Sequence, residues 1–514
     1  MADETDPTPL RIAIIGAGPC GLTAGRELLR QGFEHFTIFD KASAVGGTWH
    51  QHSYPGLACD VKAAAYTFSN APNPGWGHTF VEQPEIEAYL QRMSREFGLE
   101  PHLSLETEVR SAQYLSDPSD TSDPSAPSDT SDPSDPSDPS DPSDGAWLLE
   151  TGDGEQHRFD VVINAMGNQH TPLYPDVPGR EGFAGSAWHS TEWNHDVPLE
   201  GKRVVLIGSA AAAVQIVPEI ARLAGHLSVL QRTPNWILPR GRKPYSALSR
   251  LFLRVPLLRK LHRGFHHKIM HLSSGAFEIG HKIQARVEKM GLDHIEQSVK
   301  DPALRKLVTP SSRFGCKRPL MSDGFYPALQ RDNVTLVGAA AQSIETDAVI
   351  TQDGQRIEAD VLIFCTGYKV MDFERIEVTG VEGRSLAQAM TDAPEAYVGT
   401  AVPGFPNYFF ALGPNALIAS TSFFDAAEIN LRAITRLLVE KQAAGARTID
   451  VRPEAHARYN DWIAEARSRF SWGVDSCNSY YRTSSGQTPF LFPGDVETFV
   501  RQREEMSLAD FRVL

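Results

Sequence analysis

LRIAIIGAGPCGLTAGRELLRQGFEHFTIFD, Leu10 to Asp40, holds a complete strand–turn–helix–strand unit. Residues 10–15 are a short apolar run that meets glycine at once, the pattern of a strand buried on both faces. Gly16, Gly18 and Gly21 follow with G-x-G-x-x-G spacing. A helix is predicted from there to about Arg30, and Phe36–Phe39 reads as a second strand. Each glycine has its own task. The first turns the chain, the second lets a pyrophosphate approach the backbone, and the third lets the helix pack on the strand. The helix N-terminus adds free N–H groups and a partial positive charge for phosphate. Asp40, 24 residues after Gly16, stands where an acid accepts hydrogen bonds from ribose hydroxyls. Strand, helix and acid in register predict a dinucleotide site.

The plan returns at 201–232: strand Val204–Ile207, a helix from Ala211 to about Leu223, and strand Leu227–Leu230. The loop between the first two is Gly208-Ser209-Ala210, and Ala213 holds the place of the third glycine. Ala210 puts a methyl group where phosphate should approach, which predicts either a shifted loop or a weaker nucleotide site. Arg232 lies 24 residues after Gly208, the offset that separates Asp40 from Gly16. A guanidinium there suits a 2′-phosphate, and Thr233 adds a hydroxyl. The contrast between acid and arginine predicts FAD in the first fold and NADP in the second. The fold class is therefore α/β, with two Rossmann-like dinucleotide-binding domains, the NADP domain inserted in the FAD domain. Residues 1–172 and 368–514 are assigned to the FAD domain, 173–200 to a linker and 201–367 to the NADP domain, which carries a helical insert at 244–306.

At 514 residues the chain exceeds one ordinary core. Its net charge is −15, and nine acids of the tract Asp117–Asp144 leave about −6 for the rest, which argues against a nucleic-acid partner. No apolar run reaches the roughly 18 residues of a membrane span. The N-terminus is acidic without an apolar signal core, so a cytoplasmic protein is expected. The five cysteines, Cys20, Cys59, Cys316, Cys365 and Cys477, form no C-x-x-C. Neither a disulfide framework nor a metal site is expected, in keeping with a reducing compartment.

Residues 116–144 are almost all Asp, Pro and Ser and cannot bury a core, so a disordered loop is expected between strands near 113–115 and 147–150. In 244–306, Leu248, Leu251, Phe252, Val255, Leu258 and Leu261 interleave with Arg250, Arg254, Arg259, Lys260 and Arg263. Two readings stay open for 244–270: a helical cap with a solvated basic face, or an element that touches a membrane surface.

Several further strings resemble one family. Phe183 to Asn194, FAGSAWHSTEWN, reads F-x-G-x-x-x-H-x-x-x-W through Phe183, Gly185, His189 and Trp193. Gly46-Gly47-Thr48-Trp49 precedes Tyr54-Pro55-Gly56-Leu57-Ala58-Cys59-Asp60. Ser312-Arg313-Phe314-Gly315-Cys316-Lys317-Arg318-Pro319 precedes Ser322-Asp323. Ala165-Met166-Gly167 and Cys365-Thr366-Gly367 each follow an apolar strand. Together they resemble the class B flavoprotein monooxygenases, and the fingerprint resembles that of the type I Baeyer–Villiger monooxygenases. The resemblance implies FAD and NADPH as cofactors, O2 and a ketone as substrates, and an ester or lactone as product by way of an anionic C4a-peroxyflavin. It implies Arg318 as the catalytic arginine beside the flavin, oriented by Asp60, and Lys317 on the 2′-phosphate. It implies His189 as an interdomain residue, and Gly47, Thr48, Trp49, Tyr66, Val109 and Phe423 on the flavin side. Ala58 departs from the family, which carries Arg there. Three other readings stay open: a flavin monooxygenase oxidising nitrogen or sulfur, where Trp193-Asn194 leans the other way; a flavin–disulfide reductase, which needs a redox cysteine pair; and a non-catalytic flavoprotein with a decayed second site.

Overall fold

The computed structural model describes residues 9–116, 145–474, 476–477, 479, 481–483 and 486–513. The assignment of 116–144 as a disordered loop therefore lies almost wholly outside the described residues. Its flanks behave as expected: Val109–Leu115 and Ala146–Thr151 pair antiparallel, with Leu115 opposite Ala146.

Two five-stranded parallel sheets organise the molecule. The first runs Tyr408–Phe410, Val161–Asn164, Ile12–Ile15, Phe36–Phe39, Leu103–Ser104. The second runs Ser186–His189, Val361–Phe364, Arg203–Ile207, His226–Leu230, Val334–Val337. The orders correspond strand for strand, with each glycine-rich turn leaving the central strand. The fingerprint segment, expected as linker, thus supplies an edge strand of the second sheet, in the position that Tyr408–Phe410 holds in the first.

Side-chain alternation explains how the sheets are covered. Ile12 and Ile14 join a large core that also takes Val204 and Leu206 from the second sheet. Ala13 and Ile15 face a different core, and Val205 and Ile207 a third. Both faces of both central strands are therefore buried, as period-2 alternation in a parallel sheet requires. One shared core ties the two folds together. The helix of the second fold spans Ala211–Ile220, shorter than expected, and Ala221–Leu223 turn away into the next strand.

The insert is helical as expected: Ala247–Arg254, Pro256–Leu272, Lys282–Ser298 and Pro302–Val308. Among the described residues no helix is long and apolar enough to cross a membrane.

Candidate active site

A continuous cavity of about 1970 Å3 runs along the C-terminal ends of both sheets. A single small-molecule site takes roughly 300–1,000 Å3, so this space suits two large ligands and a third, smaller one. Gly16, Gly18, Asp40, Gly47, Thr48, Trp49, Asp60, Tyr66 and Val109 line it from the first fold. Gly208, Ser209, Ala210, Arg232, Thr233, Lys317 and Arg318 line it from the second, and Phe423 from the C-terminal part. Of the expected positions, Gly21, Phe183, Gly185, His189 and Trp193 do not line it.

The two glycine turns are built alike. Gly16 has φ +109° and Gly208 φ +115°. A side chain at Gly16 would stand 2.7 Å from the Ala165 carbonyl oxygen, and one at Gly208 2.2 Å from that of Cys365. Each first glycine is thus required by the neighbouring strand end, where the Ala165-Met166-Gly167 and Cys365-Thr366-Gly367 strings begin. Gly21 earns its place within the fold, since a Cβ there would lie 1.8 Å from the Gly16 carbonyl oxygen. Ala210 shows φ −90°, ψ −160°, close to the φ −77°, ψ −170° of Gly18. The shifted loop that Ala210 had suggested is not needed, because its backbone lies in a region open to any residue.

The groups left in the cavity fit two nucleotides. Asp40 accepts hydrogen bonds from the Ala17 N–H (2.6 Å) and the Ala42 N–H (2.9 Å), one on each oxygen. Each oxygen retains a further acceptor position for a ribose hydroxyl. The hydroxyls of Ser420 and Thr421 are buried without a partner and line the cavity just ahead of the helix Phe423–Ala443, whose N-terminus is capped by Ser422. Buried orphan hydroxyls beside a long helix N-terminus suit a polar ring edge or an anion. In the second fold, Lys317 Nζ donates to the Thr233 hydroxyl. Burial, and then the charge of Arg232, lower the Lys317 pKa. Two cations held close enough to repel each other make an anion site.

The Arg318–Asp60 pair lines the same cavity. Arg318 Nε donates to Asp60 Oδ2 at 3.0 Å, and Nη2 to Oδ1 at 2.9 Å and Oδ2 at 2.7 Å. The fork-on-carboxylate geometry fixes the guanidinium plane, and both side chains are partly buried. Neighbouring walls are apolar: Leu238, Met270, Phe277, Phe314, Leu417 and Phe490. Trp49 Nε1 donates to the Tyr66 hydroxyl at 2.9 Å, fixing two more rings of the wall.

Comparison with known proteins agrees. Residues 137–382 match a family model described as flavin-binding monooxygenase-like, and 14–83 match an NAD(P)-binding Rossmann-like domain. A Baeyer–Villiger monooxygenase of Streptomyces coelicolor is 36% identical, over 98% of this chain and 93% of its own. One of Pseudomonas aeruginosa is 35% identical, over 96% and 90%. The chain belongs to the Baeyer–Villiger monooxygenase family. In fold it is similar to a closed crystal structure of cyclohexanone monooxygenase (TM-score 0.83, 24% identity, 98% and 99% of the two chains). It is similarly close to a steroid monooxygenase bound to NADP (TM-score 0.81, 24% identity, 99% and 100%).

The fingerprint positions of this Baeyer–Villiger monooxygenase stand outside the cavity lining, and their segment forms the edge strand of the second sheet. Gly185 is required, since a Cβ would lie 2.3 Å from the Asp360 carbonyl oxygen and 2.6 Å from the Phe183 ring. His189 ends its strand opposite Phe364, wholly buried, and its Nδ1 lies 3.2 Å from the Thr191 N–H. Burial pushes its pKa down to about 4, against smaller opposing effects of Glu192 and the Gly367 backbone. It is neutral at physiological pH and packs between Tyr174 and Tyr368 of the two interdomain segments. Those segments are paired: the Leu173 N–H donates to the Gly367 carbonyl (2.9 Å), the Lys369 N–H to Thr171 (3.0 Å), and the Thr366 hydroxyl to Leu173 (2.6 Å). Trp193 meets Trp188 edge-on at 5.7 Å.

Three features of this monooxygenase were not read from its sequence. Gln215, on the NADP-side helix, binds the Y-P-G loop: its Nε2 donates to the Ala58 carbonyl (2.9 Å), and the Tyr54 hydroxyl donates to its Oε1 (3.2 Å). Gly56 accommodates that contact, since a Cβ there would stand 2.5 Å from the Gln215 carbonyl oxygen. Arg240 donates to the Cys59 carbonyl at 2.9 Å, so a guanidinium from a distant segment stands near the loop position where the family's Arg is replaced by Ala58. Finally, Cys316 and Cys477 form a disulfide with a Cα–Cα distance of 5.5 Å. This corrects the expectation of no disulfide. The two cysteines are 161 residues apart and meet only through tertiary packing, so no local spacing marks them. Neither cysteine lines the cavity.

Proposed function

We propose that this protein is an FAD-containing, NADPH-dependent monooxygenase that converts a ketone into an ester or lactone, consuming O2. The observation that carries the reading is the Arg318 guanidinium, clamped by Asp60 in the cavity that both glycine turns line. FAD and NADPH, when bound, supply hydride transfer and the activation of dioxygen. The segments 1–172 and 368–514 hold the first of these and 201–367 the second.

The side chains divide the remaining work. Gly16, Gly18 and Gly21 bring the flavin pyrophosphate onto the helix Pro19–Arg30. Asp40 takes ribose hydroxyls, and Gly47, Thr48, Trp49, Tyr66, Val109 and Phe423 wall the flavin side. Gly208, Ser209 and Ala210 receive the NADPH pyrophosphate, and Arg232, Thr233 and Lys317 its 2′-phosphate. Arg318 is positioned to stabilise negative charge that grows on oxygen as the carbonyl is attacked. A guanidinium stays protonated at any working pH, so it lends charge without donating a proton away. The carboxylate of Asp60 keeps the fork aimed, and an apolar wall limits water. His189, buried and neutral, positions the interdomain segments and touches no substrate.

A ketone panel incubated with NADPH and air tests this reading by mass spectrometry. An ester or lactone one oxygen heavier than the ketone supports it. Only N-oxides or sulfoxides from a parallel amine and sulfide panel would replace it with the nitrogen- and sulfur-oxidising reading.

A further inference from the structure

The helices Ala247–Arg254 and Pro256–Leu272 are amphipathic in the inverted sense. In the longer one, Leu257, Leu261, Phe265, Ile269 and Leu272 recur every three or four residues and share one face. Each is between 49% and 65% exposed. The opposite face is the polar one, and it is turned toward the protein. Arg263 Nη2 binds Asp425 Oδ1 at 2.8 Å, and His267 Nδ1 lies 3.3 Å from Asp425 Oδ2, on the N-terminal turn of the helix Phe423–Ala443. Leu248, Leu251 and Phe252 of the shorter helix are exposed as well, as is Val255 at the joint between the two. A water-facing helix normally shows the reverse arrangement. Nine large apolar side chains on two adjacent helices and their joint amount to a patch that soluble surfaces rarely carry without a partner.

Charge says what the partner is. From 247 to 272 there is no acidic residue, although the chain as a whole carries −15. Arg250, Arg254, Lys260 and Lys268 are exposed beside the apolar residues. Two copies of this face pressed together would bring eight like charges close, whereas an anionic bilayer pairs cations with headgroups and apolar side chains with acyl chains. We propose that these two helices dock the enzyme on an anionic lipid surface, lying in the interface plane without crossing it. The longer helix leads directly to the cavity: Met270, Ser273, Ala276 and Phe277 line it. Docking by this face therefore sets the cavity wall next to the bilayer. The inference goes beyond the proposed reaction and does not depend on it.

Flotation of the full chain with vesicles of phosphatidylcholine, with and without about 30 mol % phosphatidylglycerol, is the test. The expected result is flotation with the anionic vesicles, weakened by salt. Each exposed cation removed should lower the partition coefficient about fivefold. The triple variant Leu257→Glu, Leu261→Glu, Phe265→Glu should abolish flotation, as should Arg250→Glu, Arg254→Glu, Lys260→Glu, Lys268→Glu together. Unchanged melting temperature and unchanged turnover of a water-soluble ketone would show that both variants keep the fold. Three results overturn the proposal: no flotation of the wild-type chain, equal flotation of wild type and both variants, or a dimer in light scattering that the triple variant dissolves.

Discussion

Replacing Arg232 with alanine should separate NADPH from NADH as reductants, and the size of the effect follows from the surroundings of the residue. Arg232 is exposed, and the pKa of the half-buried Lys317 is lowered first by burial and then by the charge of Arg232. A hydrogen bond to a charged group contributes about 1.5–3 kcal/mol. Solvent exposure places Arg232 near the lower end of that range. Its loss also relieves repulsion on Lys317, which keeps its own share of the phosphate. A net cost of about 1.5–2 kcal/mol corresponds to a KM for NADPH raised roughly 10- to 30-fold. NADH lacks the phosphate, so its KM should hardly change. Initial rates of NADPH and NADH oxidation in air, over a series of coenzyme concentrations, measure both. The reasoning fails if the two coenzymes respond by the same factor, or if NADPH is affected less than about threefold.

Ala210→Gly should tighten NADPH binding a few-fold, because the backbone already matches that of Gly18 and only the methyl group is removed; titration showing unchanged or weaker binding would refute this. Gly208→Ala should instead disable the NADP site or the domain, since the new Cβ would meet the Cys365 carbonyl oxygen at 2.2 Å in a left-handed backbone. The double variant Cys316→Ser, Cys477→Ser removes a bond that closes a very long loop, and should destabilise the enzyme by about 2–5 kcal/mol, read as a lower unfolding midpoint in denaturant. If reduction leaves that midpoint in place, the bond adds nothing. His52 and His189 are buried with pKa values pushed down to about 4, chiefly by burial. Between an unfolded value near 6.5 and about 4, the unfolded chain binds protons that the folded chain refuses. Their contribution to stability is complete above pH 6.5 or so and is lost as pH falls toward 4; replacing both residues should flatten that part of the melting-temperature profile.

The sequence carried the two nucleotide folds because each rests on local rules: an apolar strand, a glycine turn and a polar residue at the next strand end. The fit between Gly16 and Ala165, or between Gly208 and Cys365, is the tertiary form of that local pattern, so glycine loop and interdomain string could be read independently. The Arg318–Asp60 pair is separated by 258 residues and was reached by family resemblance, which supplied what spacing could not. The features that escaped share one property. Cys316–Cys477, Gln215 with Ala58, and Arg240 with Cys59 are all contacts between distant segments, with no periodicity or motif to mark them. The fingerprint was located correctly in sequence, but its strand was hidden because Ser186–His189 alternates weakly and pairs only with Val361–Phe364, far along the chain.

The account turns on one cation. Stopped-flow analysis of Arg318→Ala, with flavin reduction by NADPH and ketone oxidation followed separately, tests it most directly. Reduction near the wild-type rate, with ester formation down by about a hundredfold or more, is the predicted outcome. Ester formation at the wild-type rate in that variant would contradict it.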